Sequence, residues 1–128
     1  MTRTAVLLRV AASLVLLAHV AGQRVPEAPE PNDSPATATA LPCGAEAVGT
    51  LQSATDEDWY ALSLASPADV WLATGPGADA DVGDTVLTLL DATGGPVRAA
   101  DDGAGAGRYA RLVVAALPAG TWFVAVGR

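Results

Sequence analysis

The 128-residue sequence has no lysine, one histidine (His19), one cysteine (Cys43) and an aromatic content of only 5%. Each scarcity removes a class of chemistry or partner. The seven basic residues are arginines scattered singly among 14 acids, for a formal charge of −7. Nucleic acid and anionic lipid need a clustered basic footprint, so neither is an expected partner. A lone cysteine cannot close an internal disulfide. Cys43 is therefore a buried thiol, a partner to a cysteine farther along a longer chain, or an intermolecular link. Much of the 51% hydrophobic fraction is alanine, which permits one domain with a lean core. What an acidic surface does attract is a hard cation, with carboxylate oxygens as ligands.

Residues 1–22 are expected to be an export leader. Arg3 and Arg9 precede an apolar stretch from Val10 to Val20, and small residues follow at Ala21 and Gly22. That order is the secretory signal-peptide pattern. Cleavage after Gly22 puts Val20 at −3 and Gly22 at −1, whereas cleavage after Ala21 would put His19 at −3; the first is preferred. The alternative is a retained membrane anchor, but the unbroken apolar run is about half of the roughly 20 residues a bilayer span needs. Secretion without membrane insertion after cleavage is the expectation. The mature chain would hold 14 acids against five arginines, a formal charge of −9, and no histidine. It could then build no Ser–His–Asp or Cys–His arrangement, no lysine Schiff base and no histidine-ligated zinc site.

Residues 23–42, QRVPEAPEPNDSPATATALP, read as a Pro-rich linker. Within it, Ser34 to Leu41 could form one helical turn, with Ser34 as N-cap and Pro35 first. From 43 to 128 short β-rich runs alternate with Gly, Pro and Asp, the spacing of an all-β sandwich. The runs are 47–52, 58–65, 69–75, 84–91, 96–100, 109–116 and 120–127. In the second, Tyr60, Leu62 and Leu64 share one face while Trp59, Ala61 and Ser63 share the other, so Trp59 or Tyr60 must lie off the main core. The fourth is apolar on both faces, which predicts an interior strand.

Spaced elements then carry a family resemblance. Glu30-Pro31-Asn32-Asp33, an Ala/Leu stretch ending at Leu41, Gly49-Thr50-Leu51, Asp56-Glu57-Asp58-Trp59-Tyr60, Asp84 to Asp91, Asp101-Asp102-Gly103 and Leu117 to Val124 occur in order. Together they resemble the bacterial pre-peptidase C-terminal domain family, related to the collagen-binding domains of collagenases. The resemblance covers about 30–128 and implies a secreted, non-catalytic antiparallel β-sandwich of jelly-roll type, usually appended to extracellular hydrolases. Some members bind calcium and some adhere to insoluble polymers. Members close with a further Gly-Tyr-rich strand after the one matching Gly120 to Val124, and this sequence stops at Arg128. A sandwich lacking its last strand is thus expected, either as a fragment, which is preferred, or as a truncated copy that needs a partner.

Calcium takes six to eight oxygen ligands. Glu30, Asn32 and Asp33 offer oxygens in the linker, and Asp56 and Asp58 offer more ahead of a strand. The resemblance implies that such linker acids and strand-leading acids meet at a metal; Glu30, Asn32, Asp56 and Asp58 carry over by motif, and Asp33 less directly. The competing view is that Asn32-Asp33-Ser34 caps a turn and Asp56-Glu57-Asp58 is a solvated loop. Asp79, Asp81 and Asp84 start like a calcium loop, but the glycine and terminal glutamate of an EF-hand are missing. Asp101-Asp102-Gly103 fits a turn. Nothing pairs one acid in an apolar pocket with another in a polar one, so glycoside hydrolysis is not expected. The aromatics Trp59, Tyr60, Trp71, Tyr109, Trp122 and Phe123 are expected mainly in the core, with Trp71 or Tyr109 the candidates for an exposed polymer-binding face. The expected function is a secreted accessory domain, calcium-stabilised, that assists an extracellular hydrolase or adheres to a polymer or surface. The alternative is the non-catalytic N-terminal part of a larger secreted peptidase or other hydrolase.

Overall fold

The computed structural model describes residues 4–12, 24–26, 29–42, 44–51, 53, 55–76, 85–100 and 109–127. Within them the chain forms β1 (Thr4–Ala12), β2 (Arg24–Pro26), a 3₁₀ turn (Pro35–Thr37), β3 (Thr39–Ala40), β4 (Glu46–Leu51) and β5 (Asp58–Leu64). There follow β6 (Ala68–Pro76), β7 (Val86–Leu90), β8 (Pro96–Ala100), β9 (Arg111–Leu117) and β10 (Gly120–Gly127). Two five-stranded sheets result, ordered β2-β4-β1-β6-β9 and β3-β5-β10-β7-β8. Each of the seven expected runs is a strand, and the chain is a β-sandwich.

Period-two alternation decides which side chains fill the space between the sheets. Tyr60, Leu62 and Leu64 of β5 face inward with Leu87 and Leu89 of β7 and Val124 and Val126 of β10. Ala47 and Leu51 of β4, Val70 and Leu72 of β6, and Leu112 and Val114 of β9 meet them from the other sheet. Trp59 is the residue that lies off this core. It joins Ala61, Leu90, Phe123 and Ala125 in a second cluster on the outer face of the β5–β10–β7 sheet, where Ala38 covers it. That cluster explains why β7 is apolar on both faces, and β7 does lie between β10 and β8.

Residues 23–42, expected as a linker, are partly laid onto the sandwich. β2 pairs parallel to β4 and β3 pairs parallel to β5, the two parallel pairings in otherwise antiparallel sheets. The helical turn shrinks to three residues, and Ser34 Oγ meets Thr37 Oγ1 at 2.8 Å instead of capping a backbone amide. The expected leader also contributes: Thr4–Ala12 pairs antiparallel with both β4 and β6.

Polar side chains tie the ends of strands. A buried node joins Thr74 Oγ1 to Thr85 Oγ1 at 2.6 Å, and the Ala110 amide donates to both hydroxyls. The β7–β8 hairpin turns around Asp91, whose Oδ1 accepts from Thr93 Oγ1 at 2.6 Å, Thr93 N at 2.9 Å and Gly95 N at 3.0 Å. Gly94 supplies the positive φ of that turn, 85°. Near the end of β9 the register against β6 slips between Ala68 and Val70, so that Leu117 returns to the core. Ala116 takes φ 53° at this bulge, and its amide donates to Asp69 Oδ1 at 2.7 Å.

The bonds to Asp91 from the Thr93 hydroxyl, the Gly95 amide and the Thr93 amide hold its carboxyl below the ordinary carboxylate value. A folded pKa below the unfolded one stabilises at pH above the unfolded value, and the gain is lost as pH falls through the folded value. Asp91→Asn keeps an acceptor and removes the charge. Its melting temperature should therefore fall below wild type at pH 7 and converge with it as pH falls through the folded value; a gap that keeps its size across that acid titration would show that the charge contributes nothing. At the bulge, a left-handed conformation costs an L-residue about 1–2 kcal/mol. Ala116→Gly should accordingly raise stability by up to about 1 kcal/mol after the entropy lost with glycine, read from chemical denaturation, and a drop would remove strain as an account of that position.

Candidate metal centre

The candidate site begins with one backbone hydrogen bond. Trp59 N donates to Asn32 O at 2.8 Å, which lays the segment carrying Glu30 and Asn32 beside the start of β5. β3 continues the same contact farther along, with Thr39 opposite Tyr60. Residues some 26 positions apart, Asn32 and Asp58, are thereby neighbours across a strand edge.

Glu30, Asp56 and Asp58 each bring a carboxylate oxygen into a group whose members lie within 4.8 Å of one another. Asp58 is only 1% exposed and Asn32 is fully buried, whereas Asp56 is half-buried and Glu30 is exposed. Asn32 Oδ1 and Asp58 Oδ1 are buried oxygens that accept no hydrogen bond, although both residues are held through other atoms. Asp33 is exposed and stands outside the group. Among the described residues the group contains no member that the sequence pattern did not name.

The chemistry of this donor set is that of a hard cation. Two carboxylates ionised 4.8 Å apart repel by about 3 kcal/mol at an effective dielectric near 20. A cation among them converts that repulsion into attraction. Calcium–oxygen distances of about 2.3–2.6 Å let two ligands of one ion stand up to roughly 5 Å apart, so the observed spread fits a shared ion. Soft or nitrogen donors are not part of the group, which argues against zinc or copper. The group runs from the buried Asp58 carboxylate to the half-buried Asp56 and the exposed Glu30, so it is open to solvent on one side.

The other acidic candidates, Asp79, Asp81 and Asp84, and the Asp101-Asp102-Gly103 turn lie outside the described residues, as does Cys43. Of the two aromatics singled out for a surface role, Trp71 is exposed at 40% while Tyr109 is buried next to the Thr74–Thr85 node. Trp71 pairs in register with Val113 of β9, itself 45% exposed. Trp122 packs against the core and donates from Nε1 to Pro118 O.

A family model described as "Bacterial pre-peptidase C-terminal domain" matches residues 56–128. The match includes Asp56 and Asp58 and all strands from β5 onward; Glu30 and Asn32 precede it. No curated protein matches the chain significantly.

Proposed function

This chain belongs to the bacterial pre-peptidase C-terminal domain family, and from that premise we propose that it is an exported, calcium-stabilised accessory domain that adheres to an extracellular polymer and assists a secreted hydrolase. The family is non-catalytic and typical of secreted peptidases. Export is supported by the leader pattern of residues 1–22, and no described helix is long and apolar enough to cross a membrane.

The observation that carries the calcium reading is the convergence of Glu30, Asp56 and Asp58 within 4.8 Å. An ion held by these three acids would be structural. It would join a segment preceding the sandwich to the start of β5, so its removal should loosen that segment before the core. Adhesion rests on Trp71 and Val113, adjacent on the outer face of the β6–β9 pair. An exposed tryptophan beside an exposed valine offers a large apolar contact at little entropy cost.

A ligand held only by the folded state stabilises it by about 2.7 kcal/mol at a hundredfold excess over Kd. Millimolar Ca²⁺ should therefore raise the melting temperature over that in chelator by roughly 5 °C or more. Asp58→Asn should abolish the shift and Asp33→Asn should leave it. No shift in wild type would sink the site. In a pull-down on collagen, chitin and cell-wall material, wild type should be retained on one of the three and Trp71→Ala released; equal retention of both proteins would exclude Trp71 as the anchor.

A further inference from the structure

Among the described residues β9 is the last strand of the β2-β4-β1-β6-β9 sheet, with β6 as its one neighbour there. The Thr74 amide donates to Ala110 O at 3.0 Å, and in the same register Leu72 stands opposite Leu112 and Val70 opposite Val114. In an antiparallel ladder every second residue exchanges its bonds with a given neighbour. Ala110, Leu112 and Val114 therefore bond towards β6, and the amides and carbonyls of Arg111, Val113 and Ala115 turn outward. Val113 O agrees with that direction, because Arg98 Nη1 reaches it from β8 of the other sheet. At 3.5 Å this contact is at the long limit of a hydrogen bond.

We propose that β9 is a dimerisation edge, on which a second copy of this chain pairs antiparallel about a two-fold axis at Val113. That axis sets Val113 opposite Val113 and Arg111 opposite Ala115, so the outward backbone groups of both strands find partners. The side chains match about the same axis. Arg111, Val113 and Ala115 are exposed on the outer face of the sheet, together with Asp69 and Trp71 of β6. Trp71 stands beside Val113, and the dimer extends this into one apolar row, Trp71–Val113–Val113–Trp71, across four strands. Asp69 lies level with Ala115 and Ala116, whose amide it holds at 2.7 Å. Arg111 of the second copy arrives two strand spacings from Asp69, about 10 Å between backbones. The small Ala115 between them lets the arginine and aspartate side chains meet above it, and symmetry makes the pair twice. A base two residues before Val113 and an acid level with the residue two after it are what a two-fold axis requires, which selects a second copy over an unrelated strand. Arg98 must yield Val113 O to the incoming amide, so it guards the edge. The dimer leaves Trp71 on an open face and doubles that face, and it does not depend on the adhesion reading.

Sedimentation equilibrium of the full chain tests this, in loadings up to roughly 0.1 mM, where a Kd of micromolar order is saturated. Wild type should show a reversible monomer–dimer equilibrium. Val113→Pro removes an amide that faces away from β6, so it should melt near wild type and remain monomeric. Arg111→Glu, at an exposed position, should weaken the dimer at least about tenfold by turning two opposite-charge pairs into like-charge pairs. Arg24→Glu makes the same change of charge on β2, the far edge of the sheet, and should leave the dimer intact. Arg98→Ala should tighten it. A monomeric wild type would overturn the proposal, as would equal weakening by Arg111→Glu and Arg24→Glu, or a dimer that Arg98→Ala leaves equal or weaker. Trp71→Ala should still dimerise while losing adhesion, so failure of the edge and failure of the adhesive face are separate results.

Discussion

Backbone amides and carbonyls in a sheet need partners, and in this molecule that requirement acts at two strand edges. At the edge of β5, the Trp59 amide takes the Asn32 carbonyl and β3 extends the pairing. At the gap between β4 and β6, β1 satisfies two rows at once. The hydrophobic layer between the sheets is lean, with alanine, valine and leucine supplying most of it. Edge pairing therefore carries more of the burden of holding peripheral segments than it would in a domain with a larger aromatic core.

The chemistry of the candidate site follows from the first of those edges. Glu30 reaches Asp56 and Asp58 because Asn32 is hydrogen-bonded to the residue after Asp58. The same arrangement buries Asp58 and Asn32, and it lets Ala38 cover the Trp59–Phe123 cluster behind them, whose rings lie 6.1 Å apart. An ion at this point would serve as a clasp between the preceding segment and the sandwich.

Family membership and local geometry bear on different parts of the molecule. The matched residues, 56–128, contain the sandwich from β5 onward and two of the three acids of the group, Asp56 and Asp58. Glu30 and Asn32 enter through the pairing of the preceding segment. The family is a non-catalytic one, and the all-oxygen group is of the kind that suits a hard cation.

Short β-rich runs bounded by Gly, Pro and Asp located the seven strands from 46 to 127, because turn residues and the side-chain period of two are local information. That period also identified β7 as interior and required Trp59 or Tyr60 to leave the core. The acids of the candidate site were readable as residue types and as family motif positions. Their convergence was decided by a strand edge, and so was the difference between Asp33, which remains in solvent, and Asp58, which is buried. Both Trp71 and Tyr109 sit among small residues in sequence, and only the tertiary structure separated them: Tyr109 is buried beside the residue that donates to the threonine node, and Trp71 stays on the outer face of its sheet. Residues 23–42 lack alternation, so nothing local marked β2 or β3. Residues 4–12 carry an apolar pattern that serves a leader and a strand equally well. Side-chain periodicity is written in the chain, but which backbone edges lie open to receive a segment depends on strand order, and strand order exists only in three dimensions.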